Sequence, residues 1–261
     1  MEFSEPLIKA RLIKRYKRFL ADVEIETEPG EGNDGIKNGQ AITIHTANTG
    51  SMTGCAIPGS TVWISNSHNP KRKYLYSWEL STSCDASSEQ NHLIGINTAL
   101  ANKLVKEAIE KGYITELNDY KKIDTEVPYG QENSRIDLLL TQKNGQKCYI
   151  EVKNVTASFE QGVAAFPDAV TARGTKHLRE LEFMVQQGHR GVIVFCVQRD
   201  DIQTVRAAGE IDSLYAKTLM QVEINGVEIL AYGARFSGSD APTGIHLTRK
   251  LAIATPLYNS F

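Results

Sequence analysis

Between residues 7 and 26 apolar and charged side chains alternate with period two, first in Leu7-Ile-Lys-Ala-Arg-Leu-Ile and again in Arg18-Phe-Leu-Ala-Asp-Val-Glu-Ile-Glu. This pattern predicts two half-buried strands. The glycine-rich segment from Glu28 to Gln40 cannot continue them and reads as a loop or an extended hairpin tip. Alternation returns over Ala41–Thr46, breaks at Asn48-Thr-Gly-Ser-Met-Thr-Gly and resumes over Thr61–Ser65. Short strands, glycine-rich turns and no helical stretch predict a small OB-like β-barrel.

Beyond the polar stretch Ser81–Asn91 the period becomes helical. Leu100, Leu104, Val105, Ala108 and Ile109 share one face, with Thr98 as the candidate cap and Gly112 as the stop. Extended segments follow at 123–129, 134–141 and 147–155, the last two joined by the hairpin signal Lys143-Asn-Gly-Gln. Leu178, Leu181, Met184 and Val185 mark a helix over 175–187. The continuous apolar run 191–197 is the pattern of a strand covered on both faces. A helix over 211–222 and a strand over 227–236 complete the order. The chain is expected to be α/β (α+β): a β domain over residues 1–85, then over 86–261 a mixed sheet flanked by helices.

At 261 residues and 41% hydrophobic content there is enough apolar material for real cores. A formal charge of −2 and a pI near 6.3 exclude coating a polyanion with the whole surface, so any such contact is local. No apolar run approaches the roughly 18 residues of a spanning helix, and no signal core follows Met1, so no membrane role and a cytoplasmic location are expected. Cys55, Cys84, Cys148 and Cys196 show neither disulfide-framework nor zinc-ligand spacing and read as reduced thiols.

The chemistry concentrates on the hairpin. Asp137 interrupts an apolar strand, where aspartate has poor propensity, and Glu151 and Lys153 stand two apart on the next strand, on one face. Two carboxylates and an ammonium suit a hard divalent cation, Mg2+ or Mn2+, with the Val152 carbonyl as a further candidate ligand and Lys153 orienting or deprotonating a water. The same residues also fit an ordinary cross-strand surface pair. A two-residue Asn144-Gly145 turn would set Asp137 opposite Val152 and separate the group. The site closes only with an odd loop, such as three residues with Gly145 at positive φ. Glu107, at the edge of its helix's buried face, is a candidate further acid.

Candidate nucleic-acid contacts are Arg11, Arg15, Tyr16, Lys17 and Arg18 near the N-terminus, with Phe19 beside them, and Arg72 and Lys73 in a second basic cluster. Arg173, Lys176 and His177 at the start of the later helix extend the track. Cations for phosphates and rings for bases are the components of single-strand binding. Solvated faces of amphipathic strands would show the same composition.

The segments Arg15-Tyr-Lys-Arg-Phe-Leu-Ala-Asp-Val, Asn48-Thr-Gly-Ser-Met, Ser134-Arg-Ile-Asp, Tyr149-Ile-Glu-Val-Lys-Asn-Val-Thr, the run from Phe166 to Leu181 and Gly226-Val-Glu-Ile-Leu-Ala-Tyr resemble the sugar fermentation stimulation protein A family. That resemblance implies an N-terminal OB-like barrel, a PD-(D/E)xK restriction-endonuclease-like domain, DNA binding and regulation of sugar (maltose) metabolism. It puts Asp137 in the motif aspartate's place, Glu151 and Lys153 in those of the ExK pair, and Glu107 in that of the helix acid. Ile136 replaces the motif proline, and the Glu28–Gln40 loop is longer than is usual. A metal-dependent phosphodiesterase or nuclease on DNA or RNA, a non-cleaving regulator, and a small-nucleotide hydrolase all stay open at this point.

Overall fold

The computed structural model describes residues 1–26, 36–84, 91–238 and 241–254. Most of the Glu28–Gln40 loop and the middle of the Ser81–Asn91 stretch lie outside the described residues.

The alternating N-terminal segments form β1 (Ile8–Tyr16) and β2 (Leu20–Ile25), followed by β3 (Ala41–His45), β4 (Thr61–Asn66), β5 (Tyr76–Cys84) and β6 (Asn91–Gly95). They lie in the order β3-β2-β1-β4-β5-β6, and a parallel bridge between His45 and Ser77 joins β3 to β5. Strands β1 to β5 therefore close on themselves as an OB barrel. Trp78 sits in its centre among Ile25, Ile44, Ile64 and Ile94, its indole N–H donating to the Leu80 carbonyl at 2.9 Å. Strand β6 pairs with β5, so the N-terminal sheet runs on to Gly95.

A 3-10 turn opens the second domain. Its cap is Asn97, whose side chain accepts from the Ala99 N–H, one position before the expected Thr98; the Thr98 hydroxyl donates instead to the Ala47 carbonyl. Then come α1 (Ala101–Glu110), β7 (Tyr120–Tyr129), β8 (Ser134–Gln142), β9 (Lys147–Val155), β10 (Ser158–Glu160) and β11 (Val163–Phe166). They are followed by α2 (Ala172–Gln186), β12 (Arg190–Val197), β13 (Thr204–Ala207), α3 (Ser213–Ile224), β14 (Glu228–Ser237), β15 (Gly244–Lys250) and β16 (Ala252–Ile253). The mixed main sheet has the order β15-β14-β12-β9-β8-β7, and β10, β11, β13 and β16 form a smaller one.

Strand β12 shows why its sequence has no polar alternation. Val192, Val194 and Cys196 pack with Leu104 and Val105 of α1, while Ile193, Phe195 and Val197 pack with Leu178 of α2 and Leu219 of α3. Each such fully buried side chain contributes about 1.5–3 kcal/mol. No helix is long and apolar enough to cross a membrane among the described residues.

The two domains are tied by main-chain and buried polar bonds. Gly95 N–H donates to the Gln198 carbonyl at 2.7 Å, and Leu93 N–H to Asp200 Oδ1 at 3.2 Å. Asn48 Nδ2 reaches Thr156 Oγ1 at 3.4 Å, and the Ser51 N–H donates to Asp168 Oδ2 at 3.1 Å.

Candidate functional site

The hairpin that carries the acidic residues turns through three residues. Gln142 N–H donates to the Gln146 carbonyl at 2.8 Å, Gly145 N–H to the Gln142 carbonyl at 3.0 Å, and Gly145 has φ 88°. Pairing then runs Thr141–Lys147, Leu140–Cys148, Leu139–Tyr149 and Leu138–Ile150, which brings Asp137 into line with Glu151. The odd loop that the site requires is present.

At Asp137 the ladder stops. Val152 N–H donates to Asp137 Oδ2 at 2.7 Å, and Asn102 Nδ2 on α1 donates to Oδ1 at 2.8 Å. Burial, and after it the Glu151 charge, push the Asp137 carboxyl above its ordinary range. Glu151 is only 3% exposed. Its Oε1 accepts from Lys153 Nζ at 2.7 Å and is hydrogen-bonded by His177 Nδ1, while Oε2 is buried with no hydrogen-bond partner. Burial alone would raise the Glu151 pKa; the His177 hydrogen bond and the Lys153 charge outweigh it and hold the carboxyl below its usual range. Tyr129 and Tyr215 also have buried, unpartnered hydroxyls, whose pKa values burial and then the Glu151 charge raise.

Among the described residues no three His, Cys, Asp or Glu side chains converge as a metal cage. Two carboxylates nevertheless fit an ion of the Mg2+ kind, which takes one or two protein carboxylates and completes its shell with water and substrate phosphate. The unpartnered Oε2 of Glu151 is the atom that supports this fit.

Glu107 lies elsewhere. Its carboxylate is 2.6 Å from the Met1 amino group, 2.5 Å from Lys111 Nζ and 3.9 Å from His246, so α1 contributes Asn102 rather than Glu107 to the Asp137 group. Asn102 has no sequence signature beyond a place next to the buried stripe of its helix.

The basic N-terminal track is largely neutralised by the strand beside it. Strands β1 and β2 pair Arg11 with Glu24, and Arg11 also meets Glu26, while Lys14 meets Asp22. Tyr16 donates its hydroxyl to Asp22 at 2.9 Å. Arg15 donates to the carbonyls of Arg18, Asn48 and Gly50 at 2.6, 3.1 and 2.9 Å and shapes the turn at the domain boundary. Arg72 donates to Ser77 Oγ at 3.2 Å, and Lys73 covers the Tyr74 ring at 5.5 Å.

Lys17 and Arg18 occupy the β1–β2 turn, both in the left-handed region with φ 50° and 63°, a backbone cost of about 1–2 kcal/mol per residue. Beside them Phe19 is exposed and tilts against His45, ring centroids 6.5 Å apart. Arg18 also borders a cleft of about 310 Å³ between the domains, lined by Thr98, Asn154, Asp168 and Thr171. Its Asn154 immediately follows Lys153 in β9.

Of the α2 residues, Lys176 donates to the Glu132 carbonyl and Arg173 Nε to His177 Nε2 at 3.4 Å. His177 is buried with Leu178 and Leu181 and meets Glu151, so it is not a surface contact for an anion. Its placement on the apolar stripe of α2 was the signal for this.

Comparison with known proteins agrees with the architecture. Residues 13–96 match the SfsA N-terminal OB domain, and residues 99–240 match the sugar fermentation stimulation protein RE domain. A sugar fermentation stimulation protein homolog of Shewanella loihica is 52% identical over 92% of this chain and 96% of its own. One from Thioalkalivibrio sulfidiphilus is 49% identical over 97% and 98%. The structure of Pyrococcus furiosus SfsA in complex with Ca2+ superposes with a TM-score of 0.78 at 25% identity, over 97% of this chain and 98% of that one. The second domain is restriction-endonuclease-like, and the chain belongs to the sugar fermentation stimulation protein family.

Proposed function

We propose that this protein binds nucleic acid where the barrel meets the second domain and holds Mg2+ or Mn2+ between Asp137 and Glu151, in a phosphodiester-directed site of nuclease type. The observation that carries this reading is the buried Oε2 of Glu151, unpartnered and in line with a second carboxylate. The Ca2+ of the Pyrococcus furiosus relative supports a hard cation. When bound, such an ion polarises a phosphoryl oxygen and favours attack by water. Asn102 and the Val152 amide hold Asp137 in place. Lys153, already at Glu151, can offset charge developing on a phosphate. On the barrel side Phe19 offers a ring for a base, and Lys17 and Arg18 offer cations for the backbone.

A non-cleaving DNA-binding regulator of sugar (maltose) use is the second reading. It is favoured by the enclosure of the site, where the Lys153 side chain is 12% exposed and bonded to Glu151. Incubation with single- and double-stranded DNA and with RNA, with Mg2+ or Mn2+, separates the two. The nuclease reading predicts metal-dependent cleavage, lost in Asp137→Ala and reduced at least about 100-fold in Lys153→Ala, with DNA still bound. Binding without cleavage in the parent, indifferent to metal and to both substitutions, would leave the regulator.

A further inference from the structure

We infer that His177 is a positioning residue for the cation, fixing the Glu151 carboxylate so that Oε2 rather than Oε1 is offered to the metal. This rests on the cation reading above. Arginine carries only donors, so the Arg173 Nε–H that reaches His177 Nε2 at 3.4 Å makes that nitrogen an acceptor. The ring proton then sits on Nδ1, which donates to Glu151 Oε1. Lys153 donates to the same oxygen at 2.7 Å.

The two oxygens of a carboxylate are equivalent in water. Here both donors lie on one of them. A buried carboxylate held only for structure would satisfy both oxygens, yet Oε2 accepts nothing, although the hydroxyls of Tyr129 and Tyr215 stand close enough to feel the Glu151 charge. His177 itself is locked by burial on the core stripe of α2, beside Leu178 and one turn from Leu181. The chain Arg173–His177–Glu151 is thus a tautomer-setting relay of the kind that orients metal ligands from behind.

Isothermal titration of Mn2+ into the full chain tests this with the parent, His177→Phe, His177→Asn and Glu151→Gln, each checked for native thermal unfolding in chelator. Asparagine can place an amide donor where Nδ1–H stood. The expected result is that His177→Phe weakens Mn2+ at least about 10-fold and His177→Asn restores most of the affinity, a rescue that a packing defect would not show. Equal affinity of parent and His177→Phe, with Glu151→Gln inactive in binding, overturns the role of His177 and leaves the cation reading standing. A parent that binds no Mn2+ overturns both. Independently of any variant, imidazole nitrogen shifts of the parent should report a neutral Nδ1–H ring, and an Nε2–H ring would contradict the relay.

Discussion

The amide of Val152 donates to Asp137 Oδ2 at 2.7 Å, a bond that a continued β8–β9 ladder would give to main chain. Asp137 is thereby held beside Glu151 although the two charges repel. A raised carboxyl pKa means that its stability contribution is complete below the ordinary aspartate range and lost as pH rises through the shifted value. At neutral pH the ionised form therefore costs stability. Asp137→Asn is expected to raise Tm in chelator by about 2–4 °C, with Asn102 able to turn its amide to match. Saturating Mn2+ should reverse the ranking, because only the parent gains from the ion. A lower Tm for the variant in chelator would contradict the repulsion.

Gly145 sets the register. It has φ 88°, and a Cβ there would meet nothing within 4 Å, so Gly145→Ala suffers backbone strain alone, about 1–2 kcal/mol. Gly145→Asn should cost less, since Asn tolerates the left-handed region. Urea denaturation measures both, and Mn2+ affinity should be unchanged because the loop length is kept.

Gly50 lets the domains meet. A Cβ there would stand 2.3 Å from Asp168 Oδ2, the oxygen that accepts from Ser51 N–H. Gly50→Ala is expected to destabilise by about 1–3 kcal/mol in the parent and far less in an Asp168→Ala background. Additive effects in that double-mutant cycle would show that the contact is not the cause.

Glu116 links the turn after α1 to the far edge of the main sheet. Tyr232 donates to its Oε2 at 2.7 Å and the Lys250 ammonium stands 2.5 Å from Oε1. Burial opposes the charge, but these partners lower the pKa to about 2. The stabilisation is present above the unfolded value of 4.5 and is lost as pH falls from there toward 2. Glu116→Gln should remove about 2–3 kcal/mol at pH 7 and flatten the acid limb of the stability curve between those pH values. An unchanged acid limb would contradict the lowered pKa.

The site was legible where local chemistry decides. Asp137 in an apolar strand and Glu151-x-Lys153 on one face needed only period two, and Gly145 supplied the odd loop. Strands β5 and β15 also alternate, in Tyr76-Ser-Trp-Glu-Leu and Ile245-His-Leu-Thr, but the first runs on into polar residues of which Ser81 and Thr82 are buried, and the second spans only four residues. Pairing across the chain was invisible. Arg11 reads as a free cation until β2 sets Glu24 against it, and although the apolar stripe of α2 marks His177 as buried, its partner Glu151 shows only in the fold. Asn102 depends on how α1 lies on the sheet, which no local pattern encodes.

The most direct test of the central claim is a crystal of the full chain soaked in Mn2+ and measured for anomalous scattering. A cation held by this pair predicts one peak within coordination distance of Glu151 Oε2 and an Asp137 oxygen, with Oε1 still bonded to Lys153 and His177. No peak at this carboxylate pair in a soak that labels other sites, or a peak on Oε1, would contradict it.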